Sequence, residues 1–247
     1  MRVAVFSDIH GNAVALDAML ADHARQGSDA LVCLGDAVQG GPQPAEVIDR
    51  LRALRCPVVM GNADAFLLDD APPAASEGDE AFRTELSAVR AWTVGQIGPT
   101  GLDFIRTFPP RIERELTGGR RLLGYHGTPS SFLDQVVPAT PEDEARAMLA
   151  LAPDTIGCGG HTHVQFIRHF DRTFHFNPGS VGFAYRHHQP PDRFRADPWA
   201  EYALLTVDGE TLSLEFRRVP FDADQLIGVY RSSGRPFAER SIRRYQD

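Results

Sequence analysis

Five short apolar runs in this chain each stop just before residues able to bind a metal ion, and that coincidence constrains the fold more than any other feature. Val3 to Phe6 leads into Asp8-Ile9-His10-Gly11-Asn12, and Ala30 to Leu34 into Gly35-Asp36. Pro57 to Met60 leads into Gly61-Asn62, Leu122 to Tyr125 into His126-Gly127, and Thr155 to Cys158 into Gly159-Gly160-His161-Thr162-His163. Apolar runs of this length, bounded by turn residues, read as buried strands. Helix-period patterns lie between them. Leu16, Met19, Leu20 and Ala24 follow Asn12 as N-cap; Val47, Ile48, Leu51 and Leu54 follow Pro44 in a first turn. A third helix is expected from the capping sequence Thr140-Pro141-Glu142-Asp143. Strands alternating with helices predict an α/β sandwich. Ligands in open α/β sheets bind at the carboxyl ends of strands, so these polar residues are expected to converge on one edge.

Two segments interrupt the rhythm. Residues 69–80 are rich in Pro, Ala and acids and predict an exposed loop. Phe82, Leu86, Val89 and Thr93 then predict a helix, and a shorter one starts near Thr100, so 65–110 reads as a helical insertion. His187 to Pro198 reads as a surface loop; beyond it Asp208-Gly209 predicts a hairpin, and the C-terminal hairpin plus helix is expected over about 202–232. Residues 1–247 are expected to form a single domain, large enough to fold without disulfides or a structural metal. Cys33, Cys56 and Cys158 share no metal-type spacing and are expected to be buried thiols. The formal charge of −8 argues against non-specific nucleic-acid or membrane binding, and an anionic substrate would need local positive charge, which metal ions supply. No apolar run approaches the roughly 20 residues that span a bilayer, and no signal peptide is read, so the expected location is cytoplasmic.

The residue types suit a metal site. Asp8 and His10 lie one residue apart, so in an extended segment both project to one side and can chelate one ion; His161 and His163 repeat that spacing. A donor set of carboxylate, imidazole and amide oxygen favours Mn, with Fe, Zn or Ni as alternatives, over Mg or Ca. One carboxylate bridging two ions would hold them about 3.5–4 Å apart, the separation that clamps an in-line phosphoryl displacement.

In order, the five blocks resemble the D-x-H, G-D, G-N, H and G-H-x-H motifs of the calcineurin-like metallophosphoesterase family, in its small bacterial phosphodiesterase and phosphatase branch, over about residues 1–185. The resemblance implies a two-sheet α/β/β/α sandwich and two divalent transition-metal ions. It assigns Asp8, His10, Asp36 and His163 to one ion and Asp36, Asn62, His126 and His161 to the other, with Asp36 as bridge. Asp36, Asn62 and His126 would then be catalytic as well as metal-binding, acting through a water or hydroxide shared by the ions on a phosphate-ester small molecule, of which a nucleotide is one candidate. Asn177-Pro178-Gly179-Ser180 is a further block of such proteins, read as a turn that holds the loop near the metals or faces a phosphate oxygen. Two positions depart from the protein phosphatase branch: Gly40 stands where that branch has Arg, and Ala63 where it has a His that aids leaving-group departure. Both turn the reading toward a phosphodiesterase.

His23, His169 and His175 are expected to be satisfied structural histidines. Asn12, Arg186 and His188 are candidates for substrate contact, with the helix cap the favoured role of Asn12 and both roles open to one side chain. The rival reading is a non-catalytic, metal-binding protein-interaction scaffold of the same fold, against which stand seven retained coordinating residues. Oligomerisation is left open by the sequence.

Overall fold

Alternation along the first strand sets the layering. The computed structural model describes residues 1–69, 80–190 and 193–246. In β1 (Arg2–Phe6), Val3 and Val5 point to one face while Ala4 and Phe6 point to the other, and all four are buried. Such a strand needs cover on both sides, which a single sheet with one helical layer cannot give.

β1 lies between β2 (Ala30–Cys33), parallel to it, and β8 (Trp199–Asp208), antiparallel. β9 (Thr211–Pro220) completes the sheet order β2-β1-β8-β9 through the hairpin expected at Asp208-Gly209. The second sheet has the order β3-β4-β5-β7-β6, from β3 (Arg111–Glu115), β4 (Arg121–Tyr125), β5 (Thr155–Cys158), β6 (Gln165–Phe170) and β7 (Thr173–Pro178). Val3, Val5, Leu122, Ile156 and Phe176 pack in the core between the sheets. α1 (Ala13–Gln26) and α2 (Pro44–Leu54) cover the outer face of the first sheet, together with α6 (Ala223–Ser232). α5 (Glu142–Leu149) covers the second. The layers are therefore α/β/β/α. Each fully buried Leu or Phe in these three cores contributes about 1.5–3 kcal/mol of transfer free energy.

Several expectations change. Pro57–Met60 is a single bridge, Cys33 to Val58, rather than a strand. Pro57 has no N–H to donate, and the Met60 N–H turns away to the Pro109 carbonyl, so pairing stops where the chain must deliver Asn62. Ala24 is exposed at the end of α1, and Asp22 is the buried residue of that turn. Pro141, not Thr140, is the N-cap of α5, because the Thr140 hydroxyl instead accepts from the Val137 N–H. Cys56 is only half-buried, while Cys33 and Cys158 are buried, and all three are free thiols.

The helical insertion begins three residues earlier than expected, with α3 (Asn62–Leu68), and continues in α4 (Glu80–Arg106). Gly98 breaks α4 with φ 61° just before Pro99, which accounts for the two helices read from sequence. Its inward stripe is Glu85, Val89, Thr93 and Ile97, leaving Phe82 40% exposed. Most of the loop expected at 69–80 lies outside the described residues. The tail runs through α7 (Ala238–Ile242) into a 3-10 turn at Arg243–Tyr245. Among the described residues, no helix is long and apolar enough to cross a membrane.

Candidate metal centre

The loops after β1, β2, β4 and β5, with the start of α3, meet at one sheet edge. Asp8, His10, Asp36, His161 and His163 all have left-handed backbone, with φ between 48° and 67°. That region is uncommon for residues other than glycine and costs on the order of 1–3 kcal/mol each, so its concentration here marks a functional constraint. The geometry also corrects the extended pairing expected for these residues. Left-handed turns aim Asp8 and His10 together, whereas His161 and His163 separate. The two clusters are Asp8, His10 and His163, and Asp36, His126 and His161.

Backbone bonds lock the loops to one another. The N–H groups of Asp8, His10 and Gly11 donate to the carbonyls of Gly35, Asp36 and Ala37, and the Gly160 N–H donates to His126 O at 2.7 Å. Asn177, 1% exposed, donates to Gly160 O and to Thr162 Oγ1 and accepts from Gly179 N–H, while Ser180 Oγ donates to Asp8 O. The Asn177–Ser180 block is thus a clamp on the metal loops. Gly61 is required by proximity: a Cβ there would lie 2.2 Å from Asp36 Oδ1. Asp64 accepts from the Ala37 and Gly61 N–H groups, tying the second and third loops together. Sequence reasoning passed over Asp64, although an acid in the first turn of a helix after Gly61-Asn62 is a readable signal.

Three imidazoles are held in one tautomer. Nδ1 of His10, His126 and His163 faces the carbonyls of Gln39, Leu34 and Phe183 at 2.9, 2.8 and 2.7 Å. A carbonyl only accepts, so Nδ1 carries the hydrogen and Nε2 offers its lone pair inward, the arrangement of metal-binding histidines. His161 is turned the other way: its Nε2 lies 3.2 Å from Leu133 O and 3.4 Å from Gln135 Nε2.

The inward atoms crowd together. His10 Nε2 is 3.1 Å from His163 Nε2, which is 3.2 Å from Asp8 Oδ1. Asp8 Oδ1 is fully buried and makes no hydrogen bond, facing the ring nitrogens of His163 and His10, and a carboxylate oxygen so buried is costly without a cation against it. Asp36 faces both clusters, with Oδ2 3.8 Å from His10 Nε2 and Oδ1 3.4 Å from His126 Nε2. Asn62 Oδ1 lies 2.9 Å from His126 Nε2. Converging lone pairs around an orphaned carboxylate oxygen fit divalent cations.

Electrostatics agree. Burial would raise the Asp8 and Asp36 carboxyls, but His163 beside Asp8 and His126 beside Asp36 hold both below the ordinary carboxylate range. Burial lowers His10 and His161; it would lower His126 and His163 too, but Asp36 and Asp8 respectively lift them above the usual imidazole value. With protons as the only cations, His126 and His163 neutralise the two carboxylates, and a bound metal ion would displace those protons.

The expected substrate contacts fare differently. Asn12 is 2% exposed; it caps α1 by accepting from the Ala15 N–H and donates to Gly182 O, so both amide arms serve the fold. Arg186 and His188 are exposed. His187, exposed as well, stacks at 4.6 Å on Tyr185, whose ring lies 5.6 Å from His163. His175 is buried against the Tyr125 hydroxyl, and burial depresses it to about 3, which suits a neutral structural role.

The family model for the calcineurin-like phosphoesterase superfamily domain matches residues 1–210. An uncharacterized protein of Methanocaldococcus jannaschii is 28% identical over 240 residues, covering 89% of this chain and 88% of its own. Phosphodiesterase YfcE of Escherichia coli K12 is 28% identical over 191 residues, covering 73% and 79%. The crystal structure of a metallophosphoesterase from Sphaerobacter thermophilus superposes with a TM-score of 0.74 at 24% identity, covering 99% and 98%, and shares the fold. The strand-end motifs, the two-sheet sandwich and the match over residues 1–210 together make this chain a member of the calcineurin-like phosphoesterase superfamily.

Proposed function

We propose that the protein is a binuclear, divalent-metal-dependent phosphodiesterase, with Mn the favoured metal and residues 1–247 acting as one domain. The observation that carries this reading is the placement of Asp36, which turns one carboxylate oxygen toward each histidine cluster. Asp8, His10 and His163 would hold one ion, and Asn62, His126 and His161 the other, with Asp36 shared. Ions held there supply Lewis-acid activation of a water nucleophile and neutralise charge on the phosphoryl group.

The chain's own residues do the positioning. The Nδ1-to-carbonyl bonds of His10, His126 and His163 fix the ring planes, and the Ala63 N–H holds Asp36 Oδ1 at 2.8 Å. Ala63 itself carries no proton to give a departing alkoxide, so good leaving groups are favoured. Similarity to phosphodiesterase YfcE supports a diester substrate.

Elemental analysis of metallated protein tests the reading, combined with hydrolysis of bis(4-nitrophenyl) phosphate with and without chelator. Two ions per chain are expected, with turnover lost on chelation and restored by Mn. Asp36→Asn should weaken metal retention and lower turnover by on the order of 10³-fold or more. Metal retention without any diester or monoester turnover would favour the scaffold reading instead, and at most one ion per chain would overturn the binuclear one.

A further inference from the structure

Beside the metal centre lies a cavity of about 320 Å³, bounded on one side by His10, Asp36 and Asn62. Its opposite wall comes from α4 and from the tail, where Arg235 and Arg244 line it. Three polar side chains that line it, Gln39, Arg235 and Arg244, have no hydrogen-bond or ion-pair partner among the side chains of the described residues. Gln39 is 3% exposed, and neither its Nε2 nor its Oε1 has a hydrogen-bond partner. A buried amide without partners is costly unless a ligand or water meets it.

Arg235 is 8% exposed and donates only to main-chain carbonyls, Gly40 O through Nε and Pro236 O through Nη1. No carboxylate pairs with it among the described residues. The nearby Glu85 is engaged by Arg240 at 2.6 Å. Arg244 has its guanidinium over the rings of Phe183 and Phe194, at 5.2 and 5.7 Å, and no ion pair among the described residues. Phe183 in turn lies edge-on to His10, so Arg244 stands one ring beyond the metal-facing histidine. Its segment is fastened in place, because the Ala196 N–H donates to Arg244 O and Arg195 donates to Arg243 O. Two guanidiniums without carboxylate partners among the described residues line one cavity, a combination suited to receiving an anion, and the Phe183 ring stands between Arg244 and His10.

We propose that this cavity holds the organic half of the ester, and that this half carries its own anionic group, received by Arg244 with Arg235 behind it and flanked by the Gln39 amide. The inference rests on the phosphodiesterase reading and narrows its substrate class. The apolar faces of Phe183 and α4 suit a ring as the spacer between the two charges, and a phosphate or a carboxylate would satisfy the same guanidiniums.

Three ligands that differ only at the para position test it: phenyl phosphate, 4-carboxyphenyl phosphate and 1,4-phenylene bisphosphate, titrated calorimetrically into the Mn-loaded full chain. The para anion should tighten binding about tenfold or more, as a charge-assisted hydrogen bond does, and the better of the two anionic arms identifies the group. Arg244→Met, which keeps a long stem on the rings, should shrink that gain to about twofold or less, while Arg244→Lys keeps part of it. A wild type that binds all three alike, or an Arg244→Met variant that keeps the full gain, would overturn the proposal. The wild-type chain alone gives a second measurement: the bisphosphate, but not phenyl phosphate, should protect Arg244 from phenylglyoxal, read by mass spectrometry, and equal labelling would overturn the proposal too. Loss of the phosphodiesterase reading would look different, as absent metal-dependent hydrolysis of bis(4-nitrophenyl) phosphate with the para-anion gain intact.

Discussion

Asp8, Asp36, His126 and His161 reach the metal centre on loops that directly follow strands, whereas Arg235 and Arg244 reach the adjoining cavity from a tail some two hundred residues downstream of Gln39. The two regions are also held differently. In the first, every loop is hydrogen-bonded backbone-to-backbone to a neighbour, and the imidazoles lean on carbonyls. In the second, the Arg244 guanidinium rests on the rings of Phe183 and Phe194. The difference teaches where variation is tolerable. On the proposed reading, chemistry sits on a rigid lattice of main-chain bonds, and selectivity would sit on side chains that can be replaced with that lattice standing.

Ala63 lies on the border between the regions, since its N–H fixes Asp36 while its side chain faces the cavity. Under the phosphodiesterase reading, a proton donor installed there should have the largest effect. A positioned general acid contributes typically 10²–10⁴-fold as the ester oxygen departs. Ala63→His is therefore expected to raise rates for alkyl leaving groups by on the order of 10²-fold relative to aryl ones. A rate series over leaving groups of rising pKa, for wild type and variant, measures the change in slope. Parallel slopes would mean that another group already donates the proton, and the border would then lie elsewhere.

A third region, remote from both, sharpens the contrast. Asp22 is buried in α1 and accepts from Arg217 Nε at 2.6 Å, from the Tyr202 hydroxyl at 2.7 Å and from Arg25 at 3.0 Å. The Arg217 bonds outweigh burial and hold its carboxyl at about 2, against an ordinary 3.8. A depressed folded pKa stabilises the native state above the unfolded value, by about 2 kcal/mol here, and that contribution fades as pH falls from about 4 toward 2. Asp22→Asn should flatten the acid limb of stability by about one proton in urea titrations across that range. Diester turnover per folded molecule at neutral pH should stay within about twofold, as expected of a network that shares no partner with the candidate site. A large loss of turnover would show that this network and the metal centre are not independent.

How much of this was legible depends on what encodes each part. Strands β1, β2, β4 and β5 announce themselves because apolar runs buried on both faces need no partner to be recognised, and the first ligand candidate after each follows within three residues. β3 is an edge strand of alternating charge, Arg111-Ile112-Glu113-Arg114-Glu115, and carries no apolar run to read. The Pro57–Met60 segment has strand composition but lacks the donors to pair as one. The left-handed turns at Asp8 and His163 leave no compositional trace, since glycine is absent at both positions. Glu85 replaced Phe82 on the inner face of α4 because Arg240, brought back by the tail, pairs with it. Arg235 and Arg244 were invisible for the same reason: their meaning arises only once the tail folds back.

The smallest expected effect concerns Asn12, which touches both the helix and the site. Its Oδ1 caps α1 through the Ala15 N–H at 3.0 Å, and its Nδ2 donates to Gly182 O at 3.1 Å, beside the loop clamped to Asp8. Losing an N-cap side chain costs about 1 kcal/mol, and losing a second buried hydrogen bond adds about the same. Asn12→Ala should therefore destabilise by about 2 kcal/mol, and Asn12→Ser, which restores the cap but cannot donate across to Gly182 with the same reach, by about half of that. Denaturant midpoints at constant m-value give both numbers. If the residue serves the fold, the two losses rank in that order while KM for a diester changes less than about threefold in either variant. A stable Asn12→Ala variant with KM raised tenfold or more would instead place the amide against substrate, because binding would be lost without the helix being weakened.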